Sequence, residues 1–329
     1  MSPRAISGFT VSRGGAALPP RFTHNRYSFG YCLCYDAEWV EADRRKPVPP
    51  GKEIAVAGGK RILITGAGSG FGRDAALRLA ERGHHVIAAA ENRPQMTGLI
   101  EEADRRGIGL QVENLDVTDA LHRSQAHAWD VDVLFNNAAV GEMGPLAEIP
   151  LELVRRVFEV NVFGHLALAQ GFARQMVERG NGRIVWLSSI AGLTTNPYLG
   201  PYCASKYAIE SIAQAMHDEL KPLGVQVCTI NPGPYRTGFN DRMGDALRVW
   251  FDREKSISAE HFTTDLGVEV RLADDYSEMT GESQKNPEEI VELFVKVAEG
   301  ESGLFRNFLP ADRIEEVKRQ QAAIWDLRQ

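Results

Sequence analysis

The stretch "KRILITGAGSGFGRDAALRLAERGHHVIAAAEN", residues 60–92, changes character three times. "RILIT" (61–65) is a short apolar run, "GAGSGFG" (66–72) a glycine cluster, and "RDAALRLAERG" (73–83) an Ala/Leu-rich helix closed by Gly83. "HVIAAA" (85–90) is a second apolar run. Strand, tight loop, helix and strand within about 30 residues make one βαβ unit. The glycine cluster has a definite use at that position. Gly66, Gly70 and Gly72 let the backbone turn sharply and approach a pyrophosphate at the helix N-terminus. A bare turn without a ligand is the plainer alternative. The spacing is TGxxxGxG, from Thr65 to Gly72, and not the commoner GxGxxG.

The alternation continues outward from this unit. "LQVENLD" (110–116) predicts a strand, 118–128 a helix and "VDVLFNNAA" (131–139) a strand. Apolar residues at 153, 154, 157, 158 and 160 predict a long helix over 150–179. Strand "RIVWLSS" (183–189), helix 202–222 and strand "VQVCTINPG" (225–233) follow, then a helix from Pro287 and a last strand near 303–309. Strands that read as unbroken apolar runs between helices imply a parallel sheet covered on both faces. The fold class is α/β, a doubly wound, Rossmann-type single domain.

That domain should begin at Gly59 and run to the C-terminus, residues 59–329. Residues 1–58 read as a disordered leader and linker. Residues 1–35 hold Arg4, Arg13, Arg21 and Arg26 and no acidic residue, a weak likeness to a transit peptide. An over-long start of the chain would look the same. "RRKPVPPGKE" (44–53) has linker composition.

The bulk numbers exclude more than they assign. A net charge of −7 gives no general attraction to nucleic acid or anionic membranes. No stretch approaches the roughly 20 apolar residues of a membrane span. Cys32, Cys34, Cys203 and Cys228 have neither metal-ligand spacing nor a plausible disulfide framework, and no HExxH occurs. No metal is expected, and a reducing, cytoplasmic setting is.

"YCASK" (202–206) places Tyr202 and Lys206 four residues apart on one helix face, and no other of the eight tyrosines has a lysine at that distance. An ammonium held beside a phenol favours the phenolate, which suits a tyrosine to general acid–base work near neutrality. A surface pair on an amphipathic helix would have the same spacing.

With the glycine turn, "YCASK" makes the chain resemble the single-domain branch of the short-chain dehydrogenase/reductase family. The resemblance runs from about Lys60 to Thr237 and more weakly beyond. It rests on "TGAGSGFG", "LDVTD" with Asp116 and Val117, "NNAA" (136–139) with Ala139 where the family has glycine, "EVNVFG" with Asn161, "LSSIAG" with Ser189 thirteen residues before Tyr202, and "NPGPYRT" (231–237). It implies Tyr202 as the acid/base, Lys206 as a neighbouring charge that also bonds the nicotinamide ribose, and Ser189 as a donor to the substrate oxygen. It implies that Asn161 holds a water that passes protons from Lys206 towards solvent. Taken singly, Asn161 could satisfy backbone groups and Ser189 could cap a strand end.

A nicotinamide cofactor follows from the resemblance. Gly66, Ser69, Gly70, Phe71, Gly72, Glu91, Asp116, Val117, Asn137, Ala138, Tyr202, Lys206, Pro232, Gly233 and Thr237 are the expected cofactor contacts. NAD is expected over NADP, because Glu91 stands at the end of the second strand, where a carboxylate accepts from a ribose diol and repels a 2′-phosphate. Arg93 argues the other way.

Residues 238–285 are expected to form a short helical substrate lid. Trp250, Phe251 and Phe262 there are either ordinary burial or an apolar wall for a bulky substrate. Tyr235 either touches substrate or covers the nicotinamide, and Cys203 reads as packing. The expected activity is hydride transfer between cofactor and a small-molecule alcohol or ketone. Epimerase or dehydratase chemistry and a non-enzymatic nucleotide sensor stay open as alternatives. Pairing through helices 150–179 and 202–222 as a homodimer or homotetramer is implied by the resemblance.

Overall fold

Along the first strand Ile62 and Ile64 face one side and Leu63 the other, and all three are fully buried, so this strand needs cover on both faces. The computed structural model describes residues 59–252, 254–257 and 284–328. The leader and linker reading, the lid portion 258–283 and Phe262 lie outside the described residues. β1 (Arg61–Ile64) leads through α1 (Gly70–Glu81), β2 (His85–Ala90), α2 (Arg93–Arg106), β3 (Gln111–Asn114) and α3 (Ala120–Ala126) to β4 (Val133–Asn136). Next come α4 (Leu151–Phe158), α5 (His165–Arg179), β5 (Gly182–Leu187), α6 (Gly200–Leu220), β6 (Val225–Pro232) and α7 (Phe239–Trp250). α8 (Glu288–Glu299), β7 (Arg306–Leu309) and α9 (Ile314–Ala323) complete the described part.

The seven strands form one sheet in the order β3-β2-β1-β4-β5-β6-β7, with every neighbouring pair parallel. Two apolar layers cover it. One holds Ile62, Ile64, Leu79 and Ile290, with Phe135 of β4 stacked on Phe294 of α8 at 4.8 Å between centroids. The other holds Leu63, Leu134, Leu168, Phe172, Trp186 and Ile209. Chain order reverses between β1 and β4, which opens a crevice beyond the carboxyl ends of these strands.

Two elements depart from the expected pattern. The helix over 150–179 is two α-helices joined by a π-helical segment, Glu159–Gly164, which contains Asn161. Gly164 there packs so closely on the loop after β3 that a Cβ would come within 2.5 Å of the Val117 carbonyl oxygen. α6 begins at Gly200, ahead of Tyr202, since Pro201 suits a first helical turn whose N–H groups lack partners anyway.

Candidate active site

The crevice holds a cavity of about 480 Å³. Its wall includes Gly66, Ser69, Gly70, Phe71, Glu91, Asp116, Val117, Asn137, Ala138, Pro232, Gly233 and Thr237 of the expected cofactor contacts, together with Ser189, Tyr202 and Lys206. Gly72 and Asn161 are not in the wall.

The glycine turn owes its form to close packing. Gly66 has φ +64°, and a Cβ on it would lie 2.6 Å from the Ala138 Cα. Gly72 lies beneath the turn, where a Cβ would meet the Asn137 Nδ2 at 2.4 Å, so it seats α1 against the loop after β4. Thr65 ties the two loops together. Its Oγ1 accepts from the backbone N–H of Asn137 (2.9 Å) and Ala138 (3.0 Å), while Asn137 Nδ2 donates to the Thr65 carbonyl (2.7 Å).

His165 joins this hub to the π segment. Its Nε2 lies 3.1 Å from Thr65 Oγ1 and its Nδ1 3.3 Å from the Asn161 carbonyl oxygen. The Asn161 carbonyl can only accept, so Nδ1 carries the ring proton and Nε2 is left as an acceptor for the Thr65 hydroxyl, which also lies 3.3 Å from the Phe135 carbonyl oxygen. Only the neutral Nδ1–H tautomer satisfies both contacts. Burial pushes the His165 pKa down to about 3, with the Asn161 carbonyl opposing and Lys206 adding to the fall.

Asn161 uses its side chain on the Val140 backbone and on Ser205. Its Oδ1 accepts from Val140 N (2.9 Å), and its Nδ2 donates to Val140 O (2.9 Å) and Ser205 Oγ (3.0 Å). Ser205 Oγ in turn donates to the Tyr202 carbonyl (2.7 Å). Asn161 therefore fixes the cavity loop at Val140 against the first turn of α6.

Ser189 does two jobs. Its Oγ accepts from Ala191 N (3.1 Å), capping the short turn at 190–192, and donates to the Pro232 carbonyl (3.3 Å). It also faces the cavity. Lys206 is 2% exposed; its Nζ donates to the Leu187 carbonyl (2.7 Å) and sits 5.5 Å from the Tyr202 ring centroid. Burial pushes its pKa down to about 7, and Glu210, one helical turn on, opposes the fall. Its charge beside Tyr202 thus changes near neutral pH. Glu210 is held in turn by Asn231 Nδ2 (2.6 Å) and Arg306 (2.7 Å), and Asn231 reaches the Ser189 carbonyl (3.3 Å).

At the other end of the cavity, Glu91 accepts from Asn92 Nδ2 (3.3 Å) and Gln95 Nε2 (3.4 Å) at the start of α2. Arg93 is not in the wall. Tyr235 lines the cavity, but its hydroxyl donates to Glu289 (2.5 Å) and its ring stands edge-on to Phe71 at 5.7 Å. Cys203 is packing, as expected, in a small cluster with Met143, Leu199 and Met243. The lid contributes Phe239 and Met243 to the wall, and the Phe239 ring lies 5.5 Å from that of Tyr202. Trp250 and Phe251 pack, partly buried, against that cluster and are not in the cavity wall.

These residues fit a nicotinamide dinucleotide. The close turn at Gly66 and Gly70 brings backbone N–H groups to the N-terminus of α1, and the buried Ser188 Oγ in the cavity wall has no protein partner. A family model described as short chain dehydrogenase matches residues 60–247, more than half of the chain. The chain belongs to the short chain dehydrogenase family. It is similar to an uncharacterized oxidoreductase of Bacillus subtilis, 30% identical over 247 residues, covering 73% of this chain and 84% of that one. It is 31% identical over 257 residues to human 17-beta-hydroxysteroid dehydrogenase type 1, covering 75% of this chain and 76% of the relative. A short chain dehydrogenase/reductase from Burkholderia phymatum, solved in complex with NAD, superposes with a TM-score of 0.66 at 26% identity, covering 82% and 96% of the two chains. This family member is a nicotinamide-dependent oxidoreductase that transfers hydride between its cofactor and an alcohol or carbonyl carbon. Among the described residues, no helix is long and apolar enough to cross a membrane.

Sequence reasoning missed Thr65, His165 and Gln95, and it missed a second wall from the C-terminal segment, where Arg313, Glu316, Val317 and Gln320 line the cavity. The last group had a signal, since its spacing is that of one helix face.

Proposed function

We propose that Tyr202 is the acid/base of the hydride transfer. The carrying observation is that one continuous cavity wall holds Tyr202, Ser189 and Lys206 beside the glycine turn. In the oxidative direction Tyr202 takes the hydroxyl proton as hydride leaves carbon; in reduction it returns that proton to the carbonyl oxygen. The bound nicotinamide accepts or supplies the hydride. Ser189 Oγ turns its one proton from the Pro232 carbonyl to the same oxygen and donates there as negative charge develops. Lys206 in its protonated form places positive charge beside the Tyr202 ring, which favours the phenolate. Asn161 positions the Val140 loop and α6, and in this reading a water held beside it passes protons from Lys206 towards solvent.

NAD is the preferred cofactor in this reading. Glu91 stands in the cavity wall after β2, and Arg93 does not. A carboxylate at the adenosine ribose accepts from two hydroxyls and repels a 2′-phosphate by about 1–4 kcal/mol at contact distance. Fluorescence titration should accordingly give an NADH affinity at least about tenfold tighter than that for NADPH, a difference of about 1.4 kcal/mol. Glu91→Ala should erase most of that gap. Equal binding of both nucleotides by the parent protein would refute the preference.

The substrate side carries Leu199, Phe239 and Met243, which suits a bulky, largely apolar ketone or alcohol, the class that the human relative's name suggests. The protein also pairs with a second copy across α4, the π segment and α6. Leu151, Phe163 and Tyr207 are 55%, 53% and 37% exposed on these elements, and α4 packs beside α6. Phe163→Glu should then sediment as a monomer where the parent does not; a monomeric parent would refute the pairing.

A further inference from the structure

Glu142 lies two residues beyond Val140, in the loop between β4 and α4, and is 2% exposed. Gly141 and Gly144 on either side of it pack on α7, so closely that a Cβ at 141 would run into Met243 and one at 144 into Trp250. Met143 belongs to the apolar cluster of Met243, against which Tyr202 and Phe239 pack. The Glu142 carboxyl is thus enclosed beside the part of the cavity that holds Tyr202, and not beside the adenosine end at Glu91 and Asp116. Its Oε2 is buried and has no hydrogen-bond partner. Its Oε1 faces one charge, Arg156 Nη1 on α4 at 3.8 Å, a separation too long for a hydrogen bond. Burial pushes the Glu142 pKa up, and Arg156 opposes the rise.

A buried carboxyl short of partners is costly, and a close, doubly hydrogen-bonded arginine is the usual remedy. Arg156 does not supply it. Its side chain is 62% exposed and lines the cavity. Among the described residues its guanidinium makes no hydrogen bond, and the ion pair to Glu142 is its only one. Arg156 is also about 140° around α4 from Leu151, and so lies off the face put forward for pairing.

We propose that Arg156 binds a carboxylate carried by the substrate, and that Glu142 is the buried counter-charge that holds the guanidinium at the cavity wall until that carboxylate arrives. The substrate is then an oxo acid or hydroxy acid whose apolar body lies along Phe239 and Met243. The proposal rests on the reading of Tyr202 as the reacting centre. A guanidinium meets a carboxylate through two parallel N–H···O bonds, which Glu142 does not form from 3.8 Å. The fork therefore stays open to a ligand, and the loose hold of Glu142 lets the exchange occur.

Methyl ketones ending in a carboxylate (levulinate, 7-oxooctanoate and 10-oxoundecanoate) are compared with their primary amides, which match them in shape and carry no charge. With the full chain and saturating NADH, kcat/KM should favour acid over amide at least about fivefold for one chain length or more. Arg156→Gln should abolish that preference. Glu142→Gln keeps the shape and removes the competing charge, so it should raise the preference at least about twofold. A merely structural contact would not give opposite signs from its two members. Equal turnover of acids and amides at every length would overturn the proposal, and so would loss of the preference in both variants. Weaker NADPH binding by Arg156→Gln with the acid preference intact would give the guanidinium to a cofactor phosphate and also overturn it. Binding is read separately, by calorimetric titration of the same probes into the protein saturated with NAD⁺, which cannot reduce a ketone. Acid-selective binding that Arg156→Gln removes, without turnover of any probe by the NADH form, would support the Arg156 site and count against Tyr202 as the reacting centre. Acids binding no tighter than amides would overturn the site.

Discussion

Tyr202→Phe should lower kcat about a thousandfold while leaving NADH affinity unchanged, the size expected for loss of a general acid–base. The substitution removes one oxygen and keeps the ring, so the packing against Phe239 at 5.5 Å survives. Lys206 keeps its bond to the Leu187 carbonyl, and the glycine turn is untouched. Binding and chemistry are thereby separated in a single variant. Tyr235→Phe is the matched control. Tyr235 also lines the cavity, but its hydroxyl donates to Glu289 of α8, so its removal should cost turnover little. NADH titration and stopped-flow oxidation of NADH with a ketone supply the two numbers. A Tyr202→Phe protein that retains turnover within about tenfold would remove the tyrosine from the chemistry.

Acid should destabilise the protein through a single buried histidine. His165 is 1% exposed and its pKa falls from 6.5 to about 3 on folding. Between those values the unfolded chain binds the extra proton and the native state does not. Stability is therefore complete above about pH 6.5 and is lost as pH falls towards 3. At about pH 4 the loss is about 3 kcal/mol, from 1.36 kcal/mol for each unit of separation. The structural consequence is specific. Protonation at Nε2 turns an acceptor into a donor facing Thr65 Oγ1, whose lone pairs already accept from Asn137 and Ala138, so the His165–Thr65 contact is lost. His165→Gln keeps donor and acceptor capacity but cannot titrate. Urea unfolding of parent and variant at about pH 7 and about pH 4 should thus show the parent losing about 3 kcal/mol more than the variant. An equal loss in both would mean that His165 is not the acid-sensitive group.

What could be read along the chain and what could not divide by distance. The βαβ unit, the glycine turn and the Tyr202–Lys206 step are local patterns, and period, glycine placement and helical spacing suffice for them. The strand order was not legible, since the connection from β3 to β4 passes over β2 and β1 and alternation alone does not set that jump. His165 was silent because its partner Thr65 is 100 residues away, and a histidine on an apolar helix face has no sequence mark of its tautomer. Glu210 and Arg306 are 96 residues apart and meet only because β7 adds to β6. The π segment was hidden too. Its residues continue the apolar helical spacing, and only the pull of Asn161 on Val140 and the close seat of Gly164 distinguish it. Gly72 was assigned to the cofactor because it belongs to the motif, yet in the fold it makes room for Asn137.

The most direct test of hydride transfer through this cavity is a single turnover with NADH deuterated at the transferring C4 position and a bulky apolar ketone. Deuterium should appear on the carbinol carbon of the alcohol product in step with the loss of absorbance from the nicotinamide, and Tyr202→Phe should slow both together. Oxidation of NADH without label in the alcohol, or no binding of NADH at all, would contradict it.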